Sequence, residues 1–70
     1  MSVTIYTEPG CPYCAAAKQD LEARGVEYVE IDVYTTPGAR ERLAEITGGM
    51  TVVPVLVEET GEVRIAAGGG

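Results

Sequence analysis

The order of strand-like and helix-like segments limits this chain to few folds. Residues 2–7 (SVTIYT) and 27–33 (EYVEIDV) alternate apolar with polar side chains, which is typical of strands. Between them, residues 12–24 are rich in Ala, Lys, Gln, Leu and Glu and end before Gly25, as a helix does. A strand, a helix and a strand in succession predict a right-handed parallel βαβ unit. The apolar positions of the helix are Cys14, Ala17 and Leu21.

The second half of the chain adds one helix and a pair of strands. Thr36 is placed as the N-cap of a second helix, with Pro37 at its first position. Residues 51–59 (TVVPVLVEE) and 62–66 (EVRIA) have the composition of strands, and residues 60–61 (Thr-Gly) between them suit a hairpin turn. The predicted order is β-α-β-α-β-β, an α/β fold with a four-stranded mixed sheet in one domain, residues 1–70.

Length and charge narrow the class of protein. A chain of 70 residues buries only about 60% of the surface that its unfolded form exposes, so we expect a small stability margin. The net charge of -6, from five basic and eleven acidic residues, argues against nucleic acid or an anionic membrane as partner. The opening MSVTIYTEPG has neither a basic segment nor a long apolar run, so we expect no secretory signal and predict a cytoplasmic location.

Two cysteines three residues apart, Cys11 and Cys14, form the candidate functional site. A structural zinc site needs four Cys or His ligands, and the chain has two cysteines and no histidine. A static disulfide is unusual in the cytosol, and one that closes so short a loop removes little entropy from the unfolded chain. A reversible redox pair fits the spacing, because side chains three apart on a helix are neighbours.

The start of the helix gives the two cysteines different predicted roles. Cys11 lies at the N-terminal edge, where unpaired N–H groups and the helix dipole favour a thiolate, so it is the predicted nucleophile. Cys14 lies on the apolar stripe and is predicted to be buried and to resolve a mixed disulfide. Pro12 fits the first turn because no N–H is needed there. Of the nearby charges, Glu8 opposes a thiolate that it faces, and Lys18 is expected to be a solvated surface charge.

The sequence CPYC at residues 11–14, together with a Val-Pro pair that enters the third strand, resembles the thioredoxin superfamily and glutaredoxins in particular. The resemblance covers most of the chain, from the first strand through VEIDV and VVPVLV to the final glycines. It implies a thioredoxin-like fold and thiol–disulfide exchange, in which Cys11 attacks and Cys14 resolves. Tyr13 would line the rim of the active site.

Further site residues follow from the resemblance alone. The proline that matches Pro54 is cis in the family and lies against the cysteine pair. The backbone of the preceding residue, Val53, would pair with the cysteinyl part of glutathione or with an extended peptide. Gly68 and Gly69 would let the backbone come close to glutathione. Glutathione is the expected co-substrate, with no bound cofactor and no metal.

Three departures from the family pattern bear on the partner. Glu8 stands where glutaredoxins commonly have a lysine that holds a glutathione carboxylate. The family's Thr-Val-Pro motif reads Val-Val-Pro at residues 52–54, with the threonine one step earlier at Thr51. The family continues with an acidic residue and a further helix, whereas this chain ends at Gly70. With that C-terminal helix missing, we expect one sheet face to be partly bare and to favour weak self-association.

The sequence therefore predicts a thiol–disulfide oxidoreductase that reduces protein or glutathione mixed disulfides through Cys11 and Cys14. Its expected partners are glutathione and disulfide-containing proteins. One alternative is a glutaredoxin-like hydrogen donor that is reduced by a thioredoxin reductase. A non-enzyme alternative is an iron–sulfur or metal carrier, in which one Cys11 from each of two subunits and bound thiols complete the site.

Overall fold

Four strands and two helices alternate along the chain in the predicted order. The computed structural model describes residues 2–50 and 52–65. Its elements are β1 (Ser2–Thr7), α1 (Pro12–Ala23), β2 (Glu27–Asp32), α2 (Ala39–Thr47), β3 (Val55–Glu58) and β4 (Val63–Ile65). The predicted bounds of β1 are confirmed, and those of α1 and β2 each extend one residue beyond the observed end. Within the described ranges, no helix is long and apolar enough to cross a membrane.

The strands form one mixed sheet in the order β2-β1-β3-β4. β1 runs parallel to β2, with Thr7 opposite Asp32, and antiparallel to β3, with Tyr6 opposite Val55. β3 and β4 are antiparallel, as expected for a hairpin, and Gly61 takes a left-handed φ of 91° in its turn. The parallel βαβ unit and the antiparallel final pair are both confirmed. The loop that carries CPYC therefore leaves the carboxyl end of a central strand, where parallel sheets place their sites.

The sheet separates two groups of buried side chains, because successive residues of a strand face opposite sides. One group joins α1 to β1 through Val3, Ile5 and Leu21. The other group packs α2 and the first turn of α1 against the sheet. Its buried members are Tyr6, Cys14, Val33, Ala39, Leu43, Val53 and Val55. Cys14 and the segment before Pro54 thus belong to one packed cluster, which fixes their relative position.

The start of α2 differs from the prediction. Thr36 is not the N-cap and Pro37 is not the first helical residue, because α2 begins at Ala39 with Gly38 as its N-cap. The Ala39 amide donates to the Thr36 carbonyl at 3.1 Å, and Gly38 has φ 78° and ψ -4°. This geometry is that of a type II turn with proline second and glycine third. A residue with positive φ cannot continue an α-helix, so the Pro-Gly pair moves the helix start from Pro37 to Ala39.

The predicted bare face corresponds to the α1 side of β3 and β4. Among the described residues, the half-buried Leu56 lies on this side, opposite Arg64 in the strand pairing. The Arg64 guanidinium lies 3.2 Å from Glu58 and 3.5 Å from Glu62. Leu56 packs against the cluster of Val3, Ile5 and Leu21 and has charged neighbours on its β4 side. Self-association through this face stays a prediction.

Candidate active site

The first turn of α1 is built around Cys11 and Pro12. Cys11 is the N-cap, with extended backbone angles (φ -86°, ψ 112°), and Pro12 begins the helix. The Cys14 amide donates to the Cys11 sulfur at 3.3 Å. Gly10, with φ 74°, supplies the left-handed turn that brings the chain from β1 into this cap. The sequence therefore places one thiol, half-buried, at a helix N-terminus with an N–H donor directed at its sulfur.

The second thiol is in a different environment. Cys14 is 2% exposed and packs in the cluster that contains Leu43 and Val53. Burial raises the pKa of Cys14 from its ordinary value of 9.0 to about 11, with the Cys11 side chain as the second cause. The backbone of Glu8 hydrogen-bonds to Cys14 and acts in the opposite direction, whereas the Glu8 charge adds a small increase. Cys14 is therefore buried as predicted and remains protonated at neutral pH.

The Val-Pro segment lies beside the two thiols. The Val53–Pro54 peptide bond is cis, as the resemblance implied, and Val53 is 2% exposed. Both Cys14 and Val53 belong to the same cluster, and Cys11 packs against it. Tyr13 is 51% exposed on the outer side of the first turn. Thr51, Gly68 and Gly69 lie outside the described residues.

A cleft of about 530 Å³ opens beside the two cysteines. Its walls come from the end of β1, the loop after it, the first turns of α1 and the end of β2. Three acidic residues, Glu8, Glu30 and Asp32, and one basic residue, Lys18, line this cleft. The cleft therefore has an acidic lining next to the reactive sulfurs, and it includes the residue that departs from the family pattern.

Lys18 is not the solvated surface charge that the sequence suggested. Its Nζ lies 3.0 Å from Glu30 Oε2, and its side chain is 30% exposed. The Thr7 hydroxyl donates to the same Glu30 oxygen at 2.9 Å, and Thr7 is 2% exposed. These bonds from Lys18 and Thr7 hold the pKa of Glu30 below its ordinary value. Three residues from three elements meet here, so spacing along the sequence gave no signal for this network.

The described residues, 2–50 and 52–65, contain no group of three or more His, Cys, Asp or Glu side chains close enough to hold a metal ion. Both cysteines in this part of the chain are free thiols. The chemistry that these side chains offer is therefore that of a dithiol with one accessible and one buried sulfur.

Comparisons with known proteins agree with this arrangement. The family model described as Glutaredoxin matches residues 3–60. The chain is 42% identical over 60 residues to a glutaredoxin of Neisseria meningitidis serogroup B. The aligned region covers 84% of this chain and 71% of that protein.

Two solved structures share the fold. The glutaredoxin-like protein NrdH-redoxin from Escherichia coli superposes with a TM-score of 0.80 at 32% identity, covering 94% of this chain and 83% of that one. The thioredoxin-like protein BC3987 superposes with a TM-score of 0.80 at 34% identity, covering 91% of this chain and 85% of that one. The fold is therefore thioredoxin-like, as predicted.

A dithiol whose first sulfur caps a helix, in a thioredoxin-like fold, defines the class of thiol–disulfide oxidoreductases. Within that class, this chain belongs to the glutaredoxin family, because the family model matches residues 3–60 and a glutaredoxin is 42% identical over 60 residues.

Proposed function

We propose that Cys11 is the nucleophile and Cys14 the resolving thiol in a two-step reduction of disulfides. In the first step the Cys11 thiolate attacks one sulfur of a substrate disulfide. A mixed disulfide with Cys11 forms, and the other substrate sulfur leaves as a thiolate and takes up a proton. In the second step Cys14 loses its proton and attacks the Cys11 sulfur. The Cys11–Cys14 disulfide forms, and the second substrate sulfur leaves and takes up a proton, so the dithiol has supplied two electrons.

The observation that supports these roles is the contrast between the two sulfurs. Cys11 caps the helix and accepts the Cys14 amide at 3.3 Å, a contact that stabilises negative charge on the Cys11 sulfur. Cys14 is 2% exposed, and burial raises its pKa to about 11. An incoming disulfide can therefore reach the first sulfur, while the second stays protonated until a mixed disulfide is adjacent to it.

Substrate binding is proposed to use the backbone of Val53. Val53 packs in one cluster with Cys14, and Cys11 packs against that cluster, which supports this proposal. An extended peptide or the cysteinyl part of glutathione would pair with the Val53 backbone, as in strand addition. Tyr13, half exposed, would contact the substrate at the rim. For Gly68 and Gly69 a glutathione-binding role stays a prediction from the resemblance.

The reductant that regenerates the dithiol is the second part of the proposal. Glutathione is the first candidate, since glutaredoxins in general act on it. Glu8 favours the other candidate, a thioredoxin reductase, because its carboxylate lines the cleft beside both cysteines and repels a glutathione carboxylate there. The solved structure of NrdH-redoxin is described as a glutaredoxin-like protein with a thioredoxin-like activity profile, and the fold of this chain is similar to it.

Supplying each reductant in turn tests this proposal. A small mixed disulfide is offered with NADPH plus either glutathione and glutathione reductase or thioredoxin reductase alone. We expect turnover with at least one system and faster turnover with thioredoxin reductase. Absence of turnover with both reductants would contradict the proposed function.

A pair of variants at position 8 isolates the charge. Glu8→Lys should raise the glutathione-coupled rate about three- to tenfold at low salt, and the gain should shrink at high salt because the interaction is screened. Glu8→Gln, which removes the charge without reversing it, should fall between the two. Equal glutathione-coupled rates in all three proteins would show that Glu8 does not select the reductant.

A further inference from the structure

Lys18 and Cys14 are neighbours on one face of α1. They are four residues apart, the spacing at which helix side chains lie one above the other, and both line the cleft beside the dithiol. Helix side chains lean toward the N-terminus, so the natural direction of the Lys18 chain is toward the turn that carries Cys14. An ammonium group in that position would stabilise a thiolate on Cys14.

The ammonium group is instead held by the neighbouring strand. Glu30 Oε2 lies 3.0 Å from Lys18 Nζ and accepts the Thr7 hydroxyl at 2.9 Å. Thr7 is 2% exposed, so its hydroxyl has a fixed position and anchors the carboxylate from the sheet side. The Thr7 hydroxyl and the Lys18 ammonium group both donate to Glu30 Oε2 and so favour its charged form. The Glu30 carboxylate in turn holds the Lys18 ammonium group in this ion pair.

We infer that Glu30, anchored by Thr7, holds the Lys18 ammonium away from Cys14 and so preserves the difference in reactivity between the two thiols. Glu30, Thr7 and Lys18 are positioning residues in this account, because none of them exchanges a bond with the substrate. The inference deepens the proposed function and rests on the assignment of Cys14 as the resolving thiol.

The other charges around Cys14 cannot replace Lys18. Titratable groups reach its surroundings from the loop after β1, from α1 and from the sheet, and they are Glu8, Cys11, Tyr6, Glu30 and Asp32. Each of these is neutral or negative, so none favours a thiolate by its charge. Among the side chains that line the cleft, Lys18 is the single cation.

A thiolate on Cys14 before substrate arrives would change the reaction. Both sulfurs would then attack disulfides, and mixed disulfides would also form on the buried cysteine. Holding Lys18 on Glu30 therefore confines attack to Cys11. The ion pair is partly exposed and worth little for stability, so its removal is expected to change reactivity more than folding.

Alkylation of Cys14 alone tests the inference. In a Cys11→Ser background, the rate of reaction with iodoacetamide is followed from pH 7 to pH 10. Adding Glu30→Gln frees Lys18, and we expect the rate at pH 8 to rise about three- to tenfold, which corresponds to a pKa lower by about half to one unit. Adding Lys18→Met to that variant should return the rate to its starting value. Glu27→Gln, an exposed substitution on the same strand, is the matched control and should leave the rate unchanged.

Thr7→Val provides a second variant, because it removes the anchor and keeps the Glu30 charge. Thr7→Val should raise the rate of Cys14 alkylation at pH 8 by less than Glu30→Gln does. An unchanged Cys14 rate in both Glu30→Gln and Thr7→Val, with circular dichroism showing the folded protein, would overturn the inference. So would an increase in Glu30→Gln that persists after Lys18→Met is added. Because no turnover is measured, these outcomes are independent of the reductant tests and of which thiol reacts first in the unmodified protein.

Discussion

The amide of Cys14 donates a hydrogen bond to the sulfur of Cys11 at 3.3 Å. This one contact joins two thiols whose surroundings differ, since the first caps the helix and the second is 2% exposed beneath it. The helix thus gives the first sulfur a donor and the second sulfur a packed, apolar environment. Different behaviour of the two cysteines follows from their positions in a single turn.

Replacing each cysteine separately should give different losses. Cys11→Ser should abolish all exchange, because no accessible thiol remains. Cys14→Ser should retain the first step and accumulate mixed disulfides, because the bond to Cys11 can no longer be displaced internally. Mass spectrometry of the protein after incubation with glutathione disulfide measures the adduct.

Ala16→Ser is the control for these substitutions, since Ala16 is exposed on the same helix and the change introduces the same hydroxyl. It should keep full activity. An adduct that accumulates on Cys11→Ser and not on Cys14→Ser would reverse the assigned roles.

Stability at alkaline pH should report the buried thiol. Burial raises the pKa of Cys14 from 9.0 to about 11, so between these values the unfolded chain loses a proton that the folded protein keeps. The free energy of unfolding of the reduced protein should therefore fall as pH rises from 9 to 11, by about 2 to 3 kcal/mol from this group. Urea unfolding at pH 8, 9, 10 and 11 measures it.

Cys14→Ala serves as the reference, because it lacks this one thiol and keeps every other titratable group. Its stability should fall less over the same range. Parallel curves for the two proteins would mean that Cys14 has an ordinary pKa in the folded state.

Truncation of Leu43 should destabilise both the fold and the site. Leu43 is 1% exposed and packs in the cluster that contains Cys14. Leu43→Ala should lower the free energy of unfolding by about 2 to 5 kcal/mol, a large fraction of what a chain this small can have. Thermal and urea unfolding measure the loss. Glu45→Ala, on the exposed side of α2, should change it by less than about 1 kcal/mol, and an equal loss in both variants would contradict the packing described.

The turn before α2 should require a left-handed residue at position 38. Gly38 has φ 78°, so Gly38→Ala should lower the free energy of unfolding by about 1 to 2 kcal/mol. Gly38→Asn should lower it by less, because asparagine tolerates this conformation better. Equal stability of the alanine variant and the unmodified protein would favour the helix start at Pro37 that the sequence suggested.

Local sequence patterns were sufficient for most of the fold. Alternation identified β1 and β2, Pro12 marked the start of α1, and Gly25, with φ 70°, marked its end. Each of these features depends on residues next to one another in the chain, so the sequence contains the information directly.

Two features were not predicted: the start of α2 and the contacts of Lys18. The first depends on a choice between two local structures, and the second depends on residues far apart in the chain. Pro37 followed by glycine suits either a helix start or a type II turn, and packing of Ala39 against the core decides for the turn. The contact of Lys18 with Glu30 and Thr7 depends on how α1 lies across the sheet. Only the tertiary arrangement brings those three side chains together.

The order in which the two cysteines react is the most direct test of the account. Reduced protein is treated with a small excess of iodoacetamide at pH 7 and quenched at successive times. Peptide mapping then gives the labelled fraction of each cysteine. We predict that Cys11 is labelled first and that Cys14, which is buried and protonated at this pH, is labelled far more slowly. Faster labelling of Cys14 would contradict the assignment of nucleophile and resolving thiol.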